Sequence, residues 1–213
     1  MMSWKNVHDY SDFLTASTGP TETATPMRFA HIVRLNAEGK RETVPMRWGF
    51  MGLRAKTPSG PPEHIHARNE TLDERPTFRE AFAHARGLLV VKTFNEGKEI
   101  TPRKTEQHTI TPRDGKPIGI AVLWERWEHP EQGELLTFVM VTTPANRLIS
   151  AITDRMPAVL PPEHWAKWLG EEPALPQELK ALLQTFEGDW DMAAEFRPPK
   201  SGPAKPGSQS ELF

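Results

Sequence analysis

The sequence predicts an α+β fold, a single domain with a strand-rich middle and a few short helices. Three observations support this class. Apolar runs with strand-like alternation recur between residues 27 and 143, helical spacing is confined to short segments, and the two do not alternate as in a βαβ series. With 213 residues, of which 37% are hydrophobic and 25% charged, the chain is long enough to bury one full core.

The N-terminal half contains a predicted hairpin, a loop and a helix. The run "MRFAHIVRL" alternates like a strand, and "AEGK" forms a turn into the second strand, "RETVPMRWGFM". Residues 54–64 are rich in Pro and Gly, which predicts an exposed loop. Pro76 stands at a first helical position and apolar residues follow at helical spacing, so residues 76–85 are predicted to form a short helix.

The C-terminal half combines strands with short helices. Strands are predicted at residues 87–94, 117–127 and 135–143 and at "MPAVL", and the polar segment 101–116 is predicted to be rich in turns. Helices are predicted at "NRLISAI", at "PPEHWAKWLG", which Gly170 ends, and at "PQELKALLQTF".

The last seventeen residues differ from the rest. Residues 197–213 contain almost no apolar side chain before the final two, so they cannot offset the entropy of ordering, and we expect a domain over residues 1–196 followed by a flexible tail. The tail ends in Gln-x-x-Leu-Phe, the pattern of bacterial peptides that bind the sliding clamp. Gln209 would hydrogen-bond at the rim of a pocket, while Leu212 and Phe213 fill an apolar cleft. A chance match to so short a pattern is the alternative.

Composition excludes several kinds of site. The chain has no cysteine, which excludes disulfides, thiolate zinc sites and thiol nucleophiles, and no metal or cofactor is expected. No run approaches eighteen apolar residues and the first residues do not resemble a signal peptide, so we expect a cytoplasmic protein without membrane contact. A net charge of -2 means that any nucleic-acid site is a local basic groove.

Seven motifs occur in a distinctive order: "MRWGFM", "HARNET", "PTFREAF", "FNE", "AVLWERW", "TFVMVTTPAN" and "DRMPAVL". In this order and spacing, the chain resembles the SOS response-associated peptidase family, the abasic-site-processing proteins, over roughly residues 28–170. The resemblance implies a curved, mostly antiparallel β-sheet or open barrel with short helices and a groove for single-stranded DNA. Members of that family capture an abasic deoxyribose through an N-terminal cysteine, and an asparagine, a glutamate and a histidine assist.

The resemblance also identifies candidate catalytic positions. Met2 stands where the family has its cysteine, so the thiol chemistry is expected to be lost. His66 stands in place of the asparagine and Thr153 in place of the histidine, whereas Glu96 stands at the position of the glutamate. Glu96 would transfer protons if apolar surroundings raise its pKa, and a plain edge-strand carboxylate is the alternative. His66 is an acid-base candidate or a hydrogen-bonded structural histidine.

Two arginines are candidate phosphate contacts. A guanidinium can donate two parallel hydrogen bonds to a phosphate, and both Arg68 and Arg155 lie within the motifs of the resemblance. The alternatives are salt bridges, with Glu70 or Glu74 for Arg68 and with Asp154 for Arg155.

Aromatic residues in the same motifs are candidates for base contacts. Trp48 can stack on an unpaired base and Phe78 can insert between bases, although both are also typical core residues. Arg47 and Pro157, in the motifs of Trp48 and Arg155, complete the candidate DNA-binding set.

The residues leave two functions open. In the first, the protein binds single-stranded DNA at abasic sites, and a free α-amine, whose ordinary pKa is about 7.7 to 8.0, forms an imine with the aldehyde while Glu96 or His66 acts as base, which permits weak lyase activity. In the second, the domain is a catalytically inactive interaction module recruited to the sliding clamp.

Overall fold

The computed structural model describes residues 24–51, 57, 62–102, 104–129, 131 and 133–194. Met2, the tail over residues 197–213 and its Gln209, Leu212 and Phe213 therefore lie outside the described part of the chain. The strands are β1 Phe29–Leu35, β2 Arg41–Trp48, β3 His66–Arg68, β4 Arg86–Val91, β5 Phe94–Thr101, β6 Lys104–Pro112, β7 Ile118–His129, β8 Gly133–Pro144, β9 Arg155–Pro157, β10 Val159–Leu160 and β11 Trp190–Ala194. The α-helices are α1 Pro76–His84, α2 Trp165–Leu169 and α3 Pro176–Ala181. Within the described residues, no helix has the length and apolar character needed to cross a membrane.

The main sheet closes on itself. Its strand pairings run β7–β4–β1–β2–β8, and β8 also pairs with β7, so five strands form a ring. β3, β9 and β10 extend this sheet at β8 and β7. Only the β2–β8 and β3–β8 pairings of the described strands are parallel. The α+β class and the mostly antiparallel sheet that the sequence predicts are confirmed.

The helices pack against the outer face of the ring. A ring of five strands is too narrow to enclose a helix, so the apolar cluster that contains helix residues must lie outside it. Phe82 of α1, Trp168 of α2 and Leu179 of α3 belong to this first cluster, together with Leu88 and Val139 from the sheet. The indole of Trp168 also donates a 2.8 Å hydrogen bond to the Gly87 carbonyl, which fixes α2 on β4.

A second apolar cluster occupies the opposite, inner face. Ile32, Phe138 and Ile120 from the ring belong to it and are almost fully buried. It also contains residues of a separate three-stranded sheet, in which β6 lies between β5 and β11. Phe94 of β5 and Trp190 of β11 belong to this cluster, with their rings 5.8 Å apart. The small sheet therefore packs against the interior of the ring.

Several predicted elements have different bounds in the structure. The predicted turn-rich segment 101–116 instead contains β6 and the end of β5, and the predicted strand 87–94 is divided between β4 and β5 where the chain leaves the ring. The helix predicted at "NRLISAI" is only the 3₁₀ turn Ile149–Ala151. α3 ends at Ala181, earlier than "PQELKALLQTF" predicts, and β11 was not predicted. The β1–β2 hairpin, α1 and the end of α2 at Gly170, whose φ is 100°, are confirmed.

Candidate functional site

His66 lies at the edge of the inner cluster. It is the ladder partner of Met140 on β8, and its ring meets the Trp48 ring edge-on at 5.9 Å. The His66 side chain keeps contact with solvent, yet the protein atoms around it desolvate the ring and lower its pKa. A neutral imidazole at this edge can accept a hydrogen bond at one ring nitrogen and donate one from the other.

Arg68 lies two residues further along β3 on the same face, about 7 Å from His66 by the rise of a strand. Its side chain is exposed, and among the described residues its guanidinium makes no hydrogen bond or ion pair. Its charge does contribute to lowering the pKa of Glu70, which agrees in part with the salt-bridge alternative. Arg68 is therefore available to a phosphate.

Arg155 is held by several protein groups. It donates to both carboxylate oxygens of Glu70, with Nη2 at 3.0 Å from Oε2, and Nη2 also lies 2.8 Å from the Thr142 carbonyl and 3.3 Å from the Asn69 side-chain oxygen. The hydrogen bond from Arg155 is the main cause that lowers the pKa of Glu70. The partner of Arg155 is thus Glu70 rather than the expected Asp154. The sequence separation of 85 residues explains why no local pattern shows this pair.

Glu96 lies on the small sheet, on the side that faces the inner cluster. Phe94 and Ile110 are ladder partners within that cluster, and Glu96 is two residues from Phe94 on the same face of β5. Burial raises the pKa of Glu96 to about 7. No charged group contributes to this shift, and within the described chain Glu96 makes no hydrogen bond. This arrangement agrees with the proton-transfer alternative for Glu96.

Thr153 borders the same inner cluster from a third side. Its backbone amide donates to the carbonyl of Ile149, a fully buried member of the cluster. His66, Glu96 and Thr153 thus each neighbour a member of the inner cluster, and no hydrogen bond between their side chains is present among the described residues.

The other candidate DNA contacts are packed inside the protein. Trp48 is 7% exposed, stacks on Phe138 and donates a 2.7 Å hydrogen bond to the Ile65 carbonyl. Phe78 is 3% exposed and belongs to the outer cluster. Arg47 is 5% exposed, with Nη1 3.5 Å from the Met51 sulfur, and burial lowers its pKa. Pro157 is also buried. All four are buried, and for Trp48 and Phe78 the packing agrees with the alternative of a core residue.

Sequence reasoning missed His108. This residue is the ladder partner of Glu96 and is 9% exposed. The alternating pattern of "TEQHTIT" was a signal for its strand, but the prolines and charged residues on either side favoured turns.

Asn146, in the motif "TFVMVTTPAN", is buried and makes structural contacts. Its side chain accepts from the Ile149 amide at 2.9 Å and donates to the carbonyls of Phe186 and Glu187. Among the described residues, no group of three or more His, Asp or Glu side chains is arranged to hold a metal ion.

Comparison with known proteins identifies the family of the chain. Residues 7–196 match the family described as SOS response associated peptidase (SRAP). The chain belongs to the SRAP family. It is 34% identical over 149 residues to the abasic site processing protein YoqW of Bacillus subtilis (strain 168). The aligned residues cover 70% of this chain and 66% of YoqW. It is 32% identical over 149 residues to the abasic site processing protein YobE of the same organism, which covers 70% of the chain and 68% of YobE.

A solved structure shows the same fold. The crystal structure of a protein from Bordetella bronchiseptica superposes with a TM-score of 0.76 at 22% identity, and the alignment covers 92% of this chain and 97% of that one. YoqW and YobE are both named abasic site processing proteins, and the chain spans about two thirds of the length of each.

Proposed function

We propose that this SRAP protein binds single-stranded DNA that carries an abasic site, with Arg68 at a phosphate and Glu96 as the proton-transfer group. The observation that carries the proposal is Glu96, a carboxyl group whose pKa burial raises to about 7 and which no protein hydrogen bond occupies within the described chain. Catalytic acids are most effective when their pKa lies near the working pH. The similarity to abasic site processing proteins supports the nature of the lesion.

The proposed chemistry uses an amine because the chain has no thiol. An amine of the protein adds to the aldehyde of the abasic sugar and gives a carbinolamine. Protonated Glu96 donates its proton to the carbinolamine hydroxyl, which leaves as water while the nitrogen lone pair forms the C=N bond of a protonated imine. The carboxylate that remains can then accept a proton, so the same group serves hydrolysis of the imine or β-elimination at the sugar. His66, at the edge of the inner cluster, is a second base candidate.

Binding is tested by titrating a single-stranded oligonucleotide against salt. Neutralising four to six phosphates predicts a slope of roughly -3 to -4 in a plot of log affinity against log salt, and Arg68→Ala should reduce its magnitude by about 0.7. Arg79→Ala is the matched control, because Arg79 is an exposed arginine of α1 on the other side of the sheet. A flat salt dependence, or equal effects of the two variants, contradicts the proposal.

Imine formation is tested by reduction with borohydride, which converts the C=N bond of an imine to a stable secondary amine. An oligonucleotide with an abasic site should give a covalent adduct, and an intact one should not. The rate of trapping by the wild type divided by the rate for Glu96→Gln should fall as the pH rises through 7, because Glu96 then loses the proton that it donates. The ratio removes the titration of the amine, which is common to both proteins. Salt-dependent binding without any adduct would leave a protein that binds DNA without reacting.

A second candidate function is recruitment to the sliding clamp by Gln209, Leu212 and Phe213. The sequence pattern favours it, and the extensive internal contacts of Trp48 and Arg155 are compatible with a domain that does not react. The two functions are compatible with each other, since the peptide and the candidate site are separate parts of the chain.

A further inference from the structure

Glu96 and His108 face each other across two strands of the small sheet. They lie opposite each other in the antiparallel β5–β6 pair. The pair Phe94 and Ile110 is two residues away along these strands and therefore on the same face of the sheet. Since Phe94 and Ile110 belong to the inner cluster, Glu96 and His108 also point towards it. The Cβ atoms of such partners lie about 4.5 to 5.5 Å apart, so their side chains can reach each other by rotation about their own bonds.

The imidazole of His108 is buried with an unused polar atom. The residue is 9% exposed, and its Nδ1 is fully buried without a hydrogen-bond partner among the described residues. Its Nε2 lies 3.7 Å from Oε2 of Glu106, beyond normal hydrogen-bond distance. Buried polar atoms are paired in the great majority of cases, so an unpaired one beside a second unpaired group calls for a functional explanation.

The surroundings of the two residues contain few charges. Lys98 and Glu106 are the next ladder partners on this face of the β5–β6 pair, and both are exposed. β11 presents Ala194 opposite His108 and Met192 opposite Ile110. The residues of the ring that belong to the inner cluster are apolar, and burial alone raises the pKa of Glu96. His108 is therefore the titratable neighbour best placed to exchange a proton with Glu96.

We propose that Glu96 and His108 act as one proton-transfer pair, in which His108 is a positioning residue that accepts the Glu96 proton at its unpaired Nδ1 and returns it. When both Glu96 and His108 are uncharged, the protonated carboxyl group of Glu96 donates a hydrogen bond to Nδ1 of His108, and the hydrogen on Nε2 points towards Glu106. Transfer of this proton gives a carboxylate beside an imidazolium, which keeps the charge balanced without an outside reactant. The inference deepens the proposed function, because it rests on Glu96 as the group that reacts.

The test is a carbon-13 NMR titration of the Glu96 carboxyl in the intact chain without DNA, with the resonance assigned by its loss in Glu96→Gln. A coupled pair titrates in two steps separated by more than about one pH unit, and His108→Asn should leave a single step. His84→Asn is the matched control, since His84 is exposed at the end of α1, and it should leave both steps in place. The nitrogen-15 resonance of His108 Nδ1 should move over the same pH range as the Glu96 carbon.

The wild-type titration decides the question even if His108→Asn does not fold. Two steps with a concerted change at Nδ1 support the pair, and a single step with no concerted change overturns it. Because no DNA is present, this result is separate from the proposed function. If the pair is coupled but the protein does not bind DNA, the pair is supported and the proposed function is contradicted. If Glu96 titrates alone but the protein forms the adduct, the pair is contradicted and the proposed function is supported.

Discussion

Among the described residues, Glu96 and Glu125 are the carboxyl groups with raised pKa values, and they differ in the hydrogen bonds that they accept. Burial is the main cause of both shifts. Glu125 accepts hydrogen bonds from the Met51 amide at 2.8 Å and from the Thr137 hydroxyl at 3.1 Å, which lower its pKa in turn. Within the described chain, Glu96 has no such donor. An unpaired buried carboxyl destabilises the fold once it ionises, and a group with these properties fits the proton-transfer role proposed for Glu96.

Glu96→Gln should therefore stabilise the protein at high pH. The folded pKa of about 7 lies above the ordinary value of 4.5, so the unfolded chain releases this proton first and stability falls as the pH rises from about 4.5 through 7. Above pH 8 the cost reaches about 3 kcal/mol, and it vanishes below about pH 4. Urea unfolding of both proteins at pH 4 and pH 8 measures the difference. The exposed Glu99 on the same strand provides the control Glu99→Gln; an equal effect of both variants would contradict this account.

Arg155 shows how a residue in a functional motif also serves as a structural link. Its guanidinium joins β9 to the Thr142 carbonyl of β8 and to Glu70, just after β3. Glu70 is joined in turn to α3, because the ammonium group of Lys180 donates to its backbone carbonyl at 3.0 Å. Arg155 thus holds β3 in place, and Arg68 on that strand remains exposed. Of the two arginines, Arg68 is the one whose loss should change DNA affinity without loosening the fold.

At the level of elements, the small sheet depends on a strand order that joins distant segments. β6 pairs with β5 as a hairpin and with β11 from the end of the described chain, through five residue pairs. The inner positions of this sheet are apolar near Phe94 and polar from Glu96 outward, because the hairpin extends away from the ring. The catalytic candidate Glu96 lies at the transition between the two environments, which gives it both burial and access.

The contact between α2 and the sheet provides a test of packing. Gly119 lies on β7, and a Cβ added there would be 2.6 Å from Nε1 and 2.7 Å from Cε2 of Trp165. Gly119→Ala should cost about 1 to 3 kcal/mol of unfolding free energy, since neither β7 nor the indole can move away easily. In a Trp165→Phe background the added methyl group has room, and its cost should fall to near zero. Equal costs in the two backgrounds, measured by chemical denaturation, would show that the ring of Trp165 is not the obstacle.

At the scale of the whole molecule, the closed ring separates the face that the helices cover from the face that borders the candidate site. The outer face is covered by α1, α2 and α3 and holds the buried Phe78. The inner face is covered only in part by the small sheet, and its edges carry His66, Glu96 and Thr153. Because successive side chains of a strand point to opposite faces, the neighbours Arg47 and Trp48 of the motif "MRWGFM" lie on opposite faces of β2.

The clamp proposal also belongs to this scale, because it concerns a segment outside the described domain. Replacing Leu212 and Phe213 together with Ala should abolish capture of the chain by immobilised sliding clamp, since these two side chains would fill its apolar cleft. Glu211→Ala, between the positions of the pattern, should retain capture. Affinity for DNA should be the same in all three proteins; undiminished capture by the double variant would remove the clamp as a partner.

The sequence by itself determined the α+β class, the β1–β2 hairpin, the helix that begins at Pro76 and the position of Glu96 in the motif order. Each of these depends on the spacing or type of residues within a short segment, because side-chain periodicity and backbone preference act over a few residues. The tertiary structure alone decided that the sheet closes, that Arg155 pairs with Glu70, that Trp48 and Phe78 are buried, and that His108 faces Glu96. The closure of the sheet and the Arg155–Glu70 pair depend on segments far apart in the chain, which no local pattern encodes. The pairing of Glu96 with His108 depends on the register of a hairpin that the polar residues and prolines around it did not indicate.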